Sequence, residues 1–85
     1  MTDLALPPGT RLTPQRRAVL DAIDAWHGPF TAIDLFERAR RSQPRLGLAT
    51  TYRTLELLRR TGSLHALPDA VYDHAGQRLV PGATA

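Results

Sequence analysis

The chain has 85 residues, 42% of them hydrophobic, and a formal charge of +3. That length buries one modest core and not two, and no apolar run reaches the roughly 20 residues that a membrane-spanning helix needs. The absence of cysteine excludes disulfides and thiolate metal sites and suits a reducing, cytoplasmic setting.

All 11 basic side chains are arginine, which offers planar, bidentate recognition of phosphates and guanine edges where lysine offers a point charge. The balance is compatible with nucleic acid without requiring it, and an all-arginine count also fits a simple codon bias. Met1–Thr10 carries Asp3 and no basic start, so it does not read as a secretion signal. With Leu4, Leu6, Pro7, Pro8 and Gly9, residues 1–10 are expected to form a flexible arm. Arg11 closes that arm immediately before the first helix.

Thr13 and Pro14 have the residue types of an N-cap and a first helical position, and the periodicity predicts a helix over Thr13–Trp26 with Val19, Leu20, Ile23 and Trp26 inward. Gln15, Arg16 and Arg17 fall in its first turn. Cations there oppose the helix dipole unless an anion lies nearby, which makes this turn a candidate phosphate clamp. His27-Gly28-Pro29 breaks the helix. Thr31-Ala-Ile-Asp34 then has the form of a capping box, opening a second helix to about Arg41 that buries Leu35, Phe36, Ala39 and part of Ile33. Arg38, Arg40 and Arg41 crowd its end, where they complement the dipole. Pro44 cannot continue the helix, and Arg45–Leu48 is expected to supply a short strand.

A third helix is expected from Ala49 to Thr61, stopped by Gly62. At about 100° per residue, Thr51, Leu55 and Leu58 face a core while Arg53, Glu56 and Arg60 face solvent, with Ala49 and Thr50 beside them and Tyr52 and Thr54 on the flanks. Small residues, a phenol and a guanidinium at the first turns are what a groove-reading helix requires. On the helix alone, an ordinary solvated charged face is the commoner meaning of exposed arginines. Leu57 projects outward with nothing in the sequence to cover it. Ser63–Leu67 and Ala70–Asp73, separated by Pro68-Asp69, complete a hairpin. The fold class is therefore mainly α with a small β-wing: a winged helix-turn-helix of three helices and a short antiparallel hairpin. Its expected limits are 11–75, with 76–85 a disordered tail.

Three blocks, Thr13-Pro-Gln-Arg-Arg-Ala-Val-Leu, Thr31-Ala-Ile-Asp-Leu-Phe and Leu46-Gly-Leu-Ala-Thr-Thr-Tyr-Arg-Thr-Leu-Glu-Leu-Leu, resemble the DNA-binding half of ferric uptake regulator (Fur) family repressors in order and spacing. The resemblance implies a winged helix that binds operator DNA as a dimer and represses transcription. It also implies that Tyr52 and Arg53 face the major groove and that Arg11 reaches the minor groove. It decides the third helix in favour of the reading role. The expected DNA-binding set is Arg11, Gln15, Arg16, Thr50, Tyr52 and Arg53, on a double-stranded, AT-rich palindromic operator, as a homodimer on DNA or a heterodimer with a relative.

The family's metal-binding dimerisation domain, with its cysteine pairs and histidine-rich segment, has no counterpart in this sequence. His27 stands near a regulatory-site histidine of the family and Asp73 resembles the acidic residue that closes the wing. Zinc and iron sites take three or more protein ligands. No cofactor, no metal ligand and no independent metal sensing are expected, and no spacing argues for a site at His65 or His74. An enzyme is not expected either, because there is no nucleophile elbow, no phosphate-cradling glycine loop and no second lobe to form a cleft. Asp21 and Asp24 read as solvated carboxylates. An alternative function from another class is a protein-interaction module that pairs with a full-length relative or other partner and modulates its repression.

Overall fold

The computed structural model describes residues 6–7 and 9–75. The expected tail at 76–85 and most of the expected arm, residues 1–5 and 8, lie outside them. Helix α1 spans Pro14–Ala25 and starts where the sequence places it: the Thr13 hydroxyl accepts the Arg16 backbone N–H at 3.2 Å, and Pro14 occupies the first turn, where its missing N–H costs nothing. It ends at Trp26, whose indole Nε1–H donates to the Pro29 carbonyl at 3.2 Å across the Gly28 turn.

Strand β1, Phe30–Thr31, leads directly into α2, Ala32–Ala39. The capping box is complete. The Thr31 hydroxyl accepts from Asp34 N–H at 3.1 Å, and the Asp34 carboxylate accepts from Thr31 N–H at 2.9 Å. Helix α3, Leu48–Arg60, closes with a six-to-one bond from Ser63 N–H to the Leu58 carbonyl, 2.9 Å, around Gly62 at φ +83°. A Cβ is strained at that φ, which is why glycine stands there. Strands β2 (Leu64–Leu67) and β3 (Val71–His74) form the wing, joined by a 3₁₀ turn over Pro68–Ala70. The sheet order is β1-β3-β2, antiparallel throughout, with Phe30 opposite Tyr72 and Ala66 opposite Tyr72 on the other edge.

Helix α3 packs against α1, α2 and β2. The core takes Val19 and Ile23 from α1, Leu35 from α2, Leu55 and Leu58 from α3 and Leu64 from β2. Phe30 is its aromatic hub, 1% exposed, stacked on Tyr72 at 6.3 Å and edge-on to Trp26 and His74 at 6.5 and 5.7 Å. Leu6, from the expected arm, packs against this core.

Several expectations are corrected. The strand outside the hairpin is Phe30–Thr31, between the first two helices, and not Arg45–Leu48. Residues 44–45 turn instead, the Leu46 N–H donates to the Gln43 carbonyl at 3.0 Å, and the Leu46 side chain is buried. Meanwhile Tyr72 and Val71 offer β1 a ladder. Helix α2 stops at Ala39, two residues early, and Ile33 is 44% exposed. Trp26 is only half-buried at the edge of the core. Thr54 is fully buried and not on a flank, because α3 is covered from more than one side. Its hydroxyl donates to the Thr50 carbonyl at 2.8 Å, as Thr51 does to Gly47 at 3.1 Å, so neither buried hydroxyl lacks a partner.

Candidate nucleic-acid interface

With Thr51, Thr54, Leu55 and Leu58 locked into the core, the opposite side of α3 has a fixed orientation. Ala49, Tyr52 and Arg53 are exposed on it, and Thr50 is half-buried. Tyr52 is 41% exposed, so its ring is accessible at the start of the helix. The Arg53 guanidinium donates to the Thr50 hydroxyl at 3.4 Å, which steadies it along the first turn. Gly47 is the N-cap and contributes no side-chain cap, so the positive end of the helix dipole is not quenched by its own sequence.

The start of α1 lies beside the start of α3. Thr13, Gln15, Arg16, Arg45, Thr50 and Arg53 together line an open basin of about 250 Å³. Four of the six expected DNA-binding residues therefore share one depression. Arg11 and Tyr52 do not line it, although Arg11 is joined to it: its carbonyl accepts a 2.6 Å hydrogen bond from the Arg16 guanidinium. Arg45 was not among the expected residues. Nothing in its local sequence distinguishes it from other surface arginines, and only the return of the α2–α3 turn towards α1 brings it to the basin.

Away from the basin, a polar link ties α3 to the wing. The Tyr72 hydroxyl donates to Glu56 at 3.0 Å, and the Arg59 guanidinium donates to the other carboxylate oxygen at 3.0 Å, with an ion-pair contact of 2.8 Å. The Arg59 hydrogen bond is the main cause holding the Glu56 carboxyl below its ordinary range, against partial desolvation. Burial, reinforced by the neighbouring Glu56 charge, pushes the Tyr72 hydroxyl up to about 12. The sheet's central strand, β3, is thus fastened to the exposed helix by a neutral phenol and a charged acceptor.

A three-helix winged fold with an exposed, arginine-bearing helix and a cationic basin at its N-terminal end defines a winged helix-turn-helix protein. A profile of the ferric uptake regulator family matches residues 8–75, and the chain belongs to that family. Its family is one of DNA-binding repressors, not enzymes. The chain is 33% identical over 57 residues to the ferric uptake regulation protein of Brucella abortus biovar 1, covering 67% of this chain and 40% of that protein. It is 33% identical over 60 residues to the peroxide-responsive repressor PerR of Staphylococcus saprophyticus, covering 71% and 40%. With the zinc uptake regulation protein of Escherichia coli K12 it shares 38% identity over 55 residues, 65% of this chain and 32% of that one. The chain thus spans well under half the length of these relatives.

The names of two of these relatives point to iron and zinc, but the described residues do not fit a metal site. Among them, no three His, Cys, Asp or Glu side chains come together. His74 spends its Nε2 on the Ile23 carbonyl at 2.9 Å, tying β3 to the end of α1, and Asp73 Oδ1 accepts the His74 backbone N–H at 2.8 Å. His27 is exposed in the turn after α1.

Proposed function

We infer that the chain is a sequence-specific DNA-binding transcriptional regulator, a Fur-like repressor module acting through its winged helix, with α3 reading the major groove. The observation that carries this is the division of α3: four inward residues fully buried, Tyr52 and Arg53 outward at the helix start. Arg53 would supply the hydrogen-bond readout of a base edge and Tyr52 an apolar contact, such as a thymine methyl. Gln15 and Arg16 in the first turn of α1, with Thr50, would hold phosphates and fix the register, a role that carries no sequence information. Arg11, held by its carbonyl to Arg16, would enter the adjacent minor groove.

One helix-turn-helix unit contacts few base pairs, so the natural ligand is an AT-rich palindromic duplex bound by two chains, on half-sites about 10 bp apart or a multiple of that. A cytoplasmic location goes with this role. Metal would not enter through the residues described. The test is a titration of such a duplex, and of a scrambled duplex, at two salt concentrations with stoichiometry measured. Preference for the palindrome with two chains per site supports the reading. Equal weak binding to both, vanishing at moderate salt, would leave only an electrostatic footprint and favour a module that binds a protein partner, which size-exclusion with a full-length relative would reveal.

A further inference from the structure

The basin between α1 and α3 holds more positive charge than its local structure uses. Three arginines line it from three separate elements: Arg16 from α1, Arg45 from the turn before α3 and Arg53 from α3. Among the described residues no carboxylate lines it and none of the three arginines is in an ion pair. The intramolecular bonds they do make leave most of their donors free: Arg16 gives one to the Arg11 carbonyl and Arg53 one to the Thr50 hydroxyl, against five N–H donors on each guanidinium. Thr13 and Thr50 add hydroxyls and Gln15 a carboxamide. Three like charges gathered round one depression repel one another, so an anion seated there relieves the cost and gains charge-assisted bonds from Arg16 and Arg45, leaving Arg53 for the base edge.

Arg45 is also held in position. Pro44 precedes it, the buried Leu46 side chain follows it, and the Leu46 N–H is fixed to the Gln43 carbonyl. A side chain carried on so constrained a turn loses less freedom on binding than one on a loose loop. Arg40, by contrast, lies across the Phe36 ring at 5.2 Å and does not line the basin.

We propose that this basin seats one backbone phosphate of the bound duplex, held by Arg16 and by Arg45 as a further DNA-contacting residue, while Arg53 at its α3 edge stays on the base it reads. The proposal rests on the DNA-binding reading above and deepens it. The contact fixes how far α3 enters the groove and contributes nothing to base choice.

Anisotropy titrations over a series of salt concentrations, on the palindromic duplex and on a scrambled duplex of equal length, test it. Losing one phosphate contact removes about 0.9 from the slope of log K against log salt, equivalent to about fivefold in affinity near 0.15 M relative to 1 M salt. Arg45→Ala should therefore weaken both duplexes by that same factor and flatten both slopes. Arg45→Lys should keep the slope. Arg40→Ala, which removes an identical charge outside the basin, should leave it unchanged. Both positions are exposed, so thermal melts should stay close to that of the parent chain. The proposal is overturned by an unchanged slope in Arg45→Ala, by an equal change in Arg40→Ala, or by a loss confined to the palindrome. A parent chain that binds no duplex overturns the DNA-binding reading as well. A parent chain that prefers the palindrome while Arg45→Ala behaves identically overturns the role of Arg45 alone.

Discussion

Replacing Tyr72 with phenylalanine removes a single oxygen, and with it the bond that fastens the sheet's central strand, β3, to α3. The Tyr72 hydroxyl donates to a charged Glu56 carboxylate at 3.0 Å, and hydrogen bonds to charged groups contribute about 1.5–3 kcal/mol net. Glu56 is half-exposed and keeps Arg59 after the change, so its oxygen rehydrates and the expected loss falls to about 1–2 kcal/mol. The pH dependence gives a second, independent reading. Burial first, and Glu56 second, raise the Tyr72 hydroxyl from 10.0 to about 12. The folded state therefore favours the neutral phenol. That stability is fully present below pH 10 and drains as pH rises from 10 towards 12, by on the order of 2 kcal/mol. Urea denaturation followed by Trp26 fluorescence should show the midpoint of Tyr72→Phe lowered by about 1 M at neutral pH. Relative to the parent chain, the variant should be less sensitive to alkaline pH. A Glu56→Gln cycle assigns the coupling to this pair. Equal midpoints at neutral pH, together with the same alkaline decline in both chains, would refute the reasoning.

Other consequences are equally concrete. Phe30→Ala empties the centre of the aromatic cluster and should cost about 3–5 kcal/mol, lowering the thermal midpoint by more than about 12 °C in a domain of this size; a midpoint unchanged in calorimetry would contradict the core described. Ala70 sits at φ +58°, a left-handed conformation costing an alanine about 1–2 kcal/mol. Ala70→Gly should relieve that and, after the entropy glycine adds to the unfolded chain, stabilise by about 0.5–1 kcal/mol in urea melts. Glu56, held below its ordinary range chiefly by Arg59, lends stability above pH 4.5 that is lost as pH falls through its folded value. Arg59→Ala should weaken that acid-side dependence in the same melts.

Much of the helical framework was legible because its signals are local. Thr13 with Pro14, Thr31 with Asp34, and Gly62 each announce a helix end through a bond or a φ that few other residues provide. Strand β1 was not legible: two residues have no period, and Phe30–Thr31 is extended only because Tyr72 and Val71, some forty positions away, offer it a ladder. Thr54 was misplaced because helical periodicity marks the centre of an inward face but not its width, which the packing of α1, α2 and β2 around α3 decides. The site divides in the same way. Tyr52 and Arg53 follow from position on one helix, whereas the basin is a meeting of three elements, so Gln15, Arg16, Thr50 and Arg53 could be named without showing that they face one another, and Arg45 could not be named at all. The Glu56–Tyr72 bond spans sixteen positions and has no sequence signature.

The central claim is that α3 reads bases, and the ratio of operator to scrambled-duplex affinity tests it most directly when measured for the parent chain and for Arg53→Ala at one fixed salt concentration. The expected result is a ratio well above one that collapses in the variant, with a loss of about 1–3 kcal/mol on the operator and little on the scrambled duplex. An equal loss on both sequences, leaving the ratio intact, would make Arg53 a phosphate contact and contradict the reading role of α3.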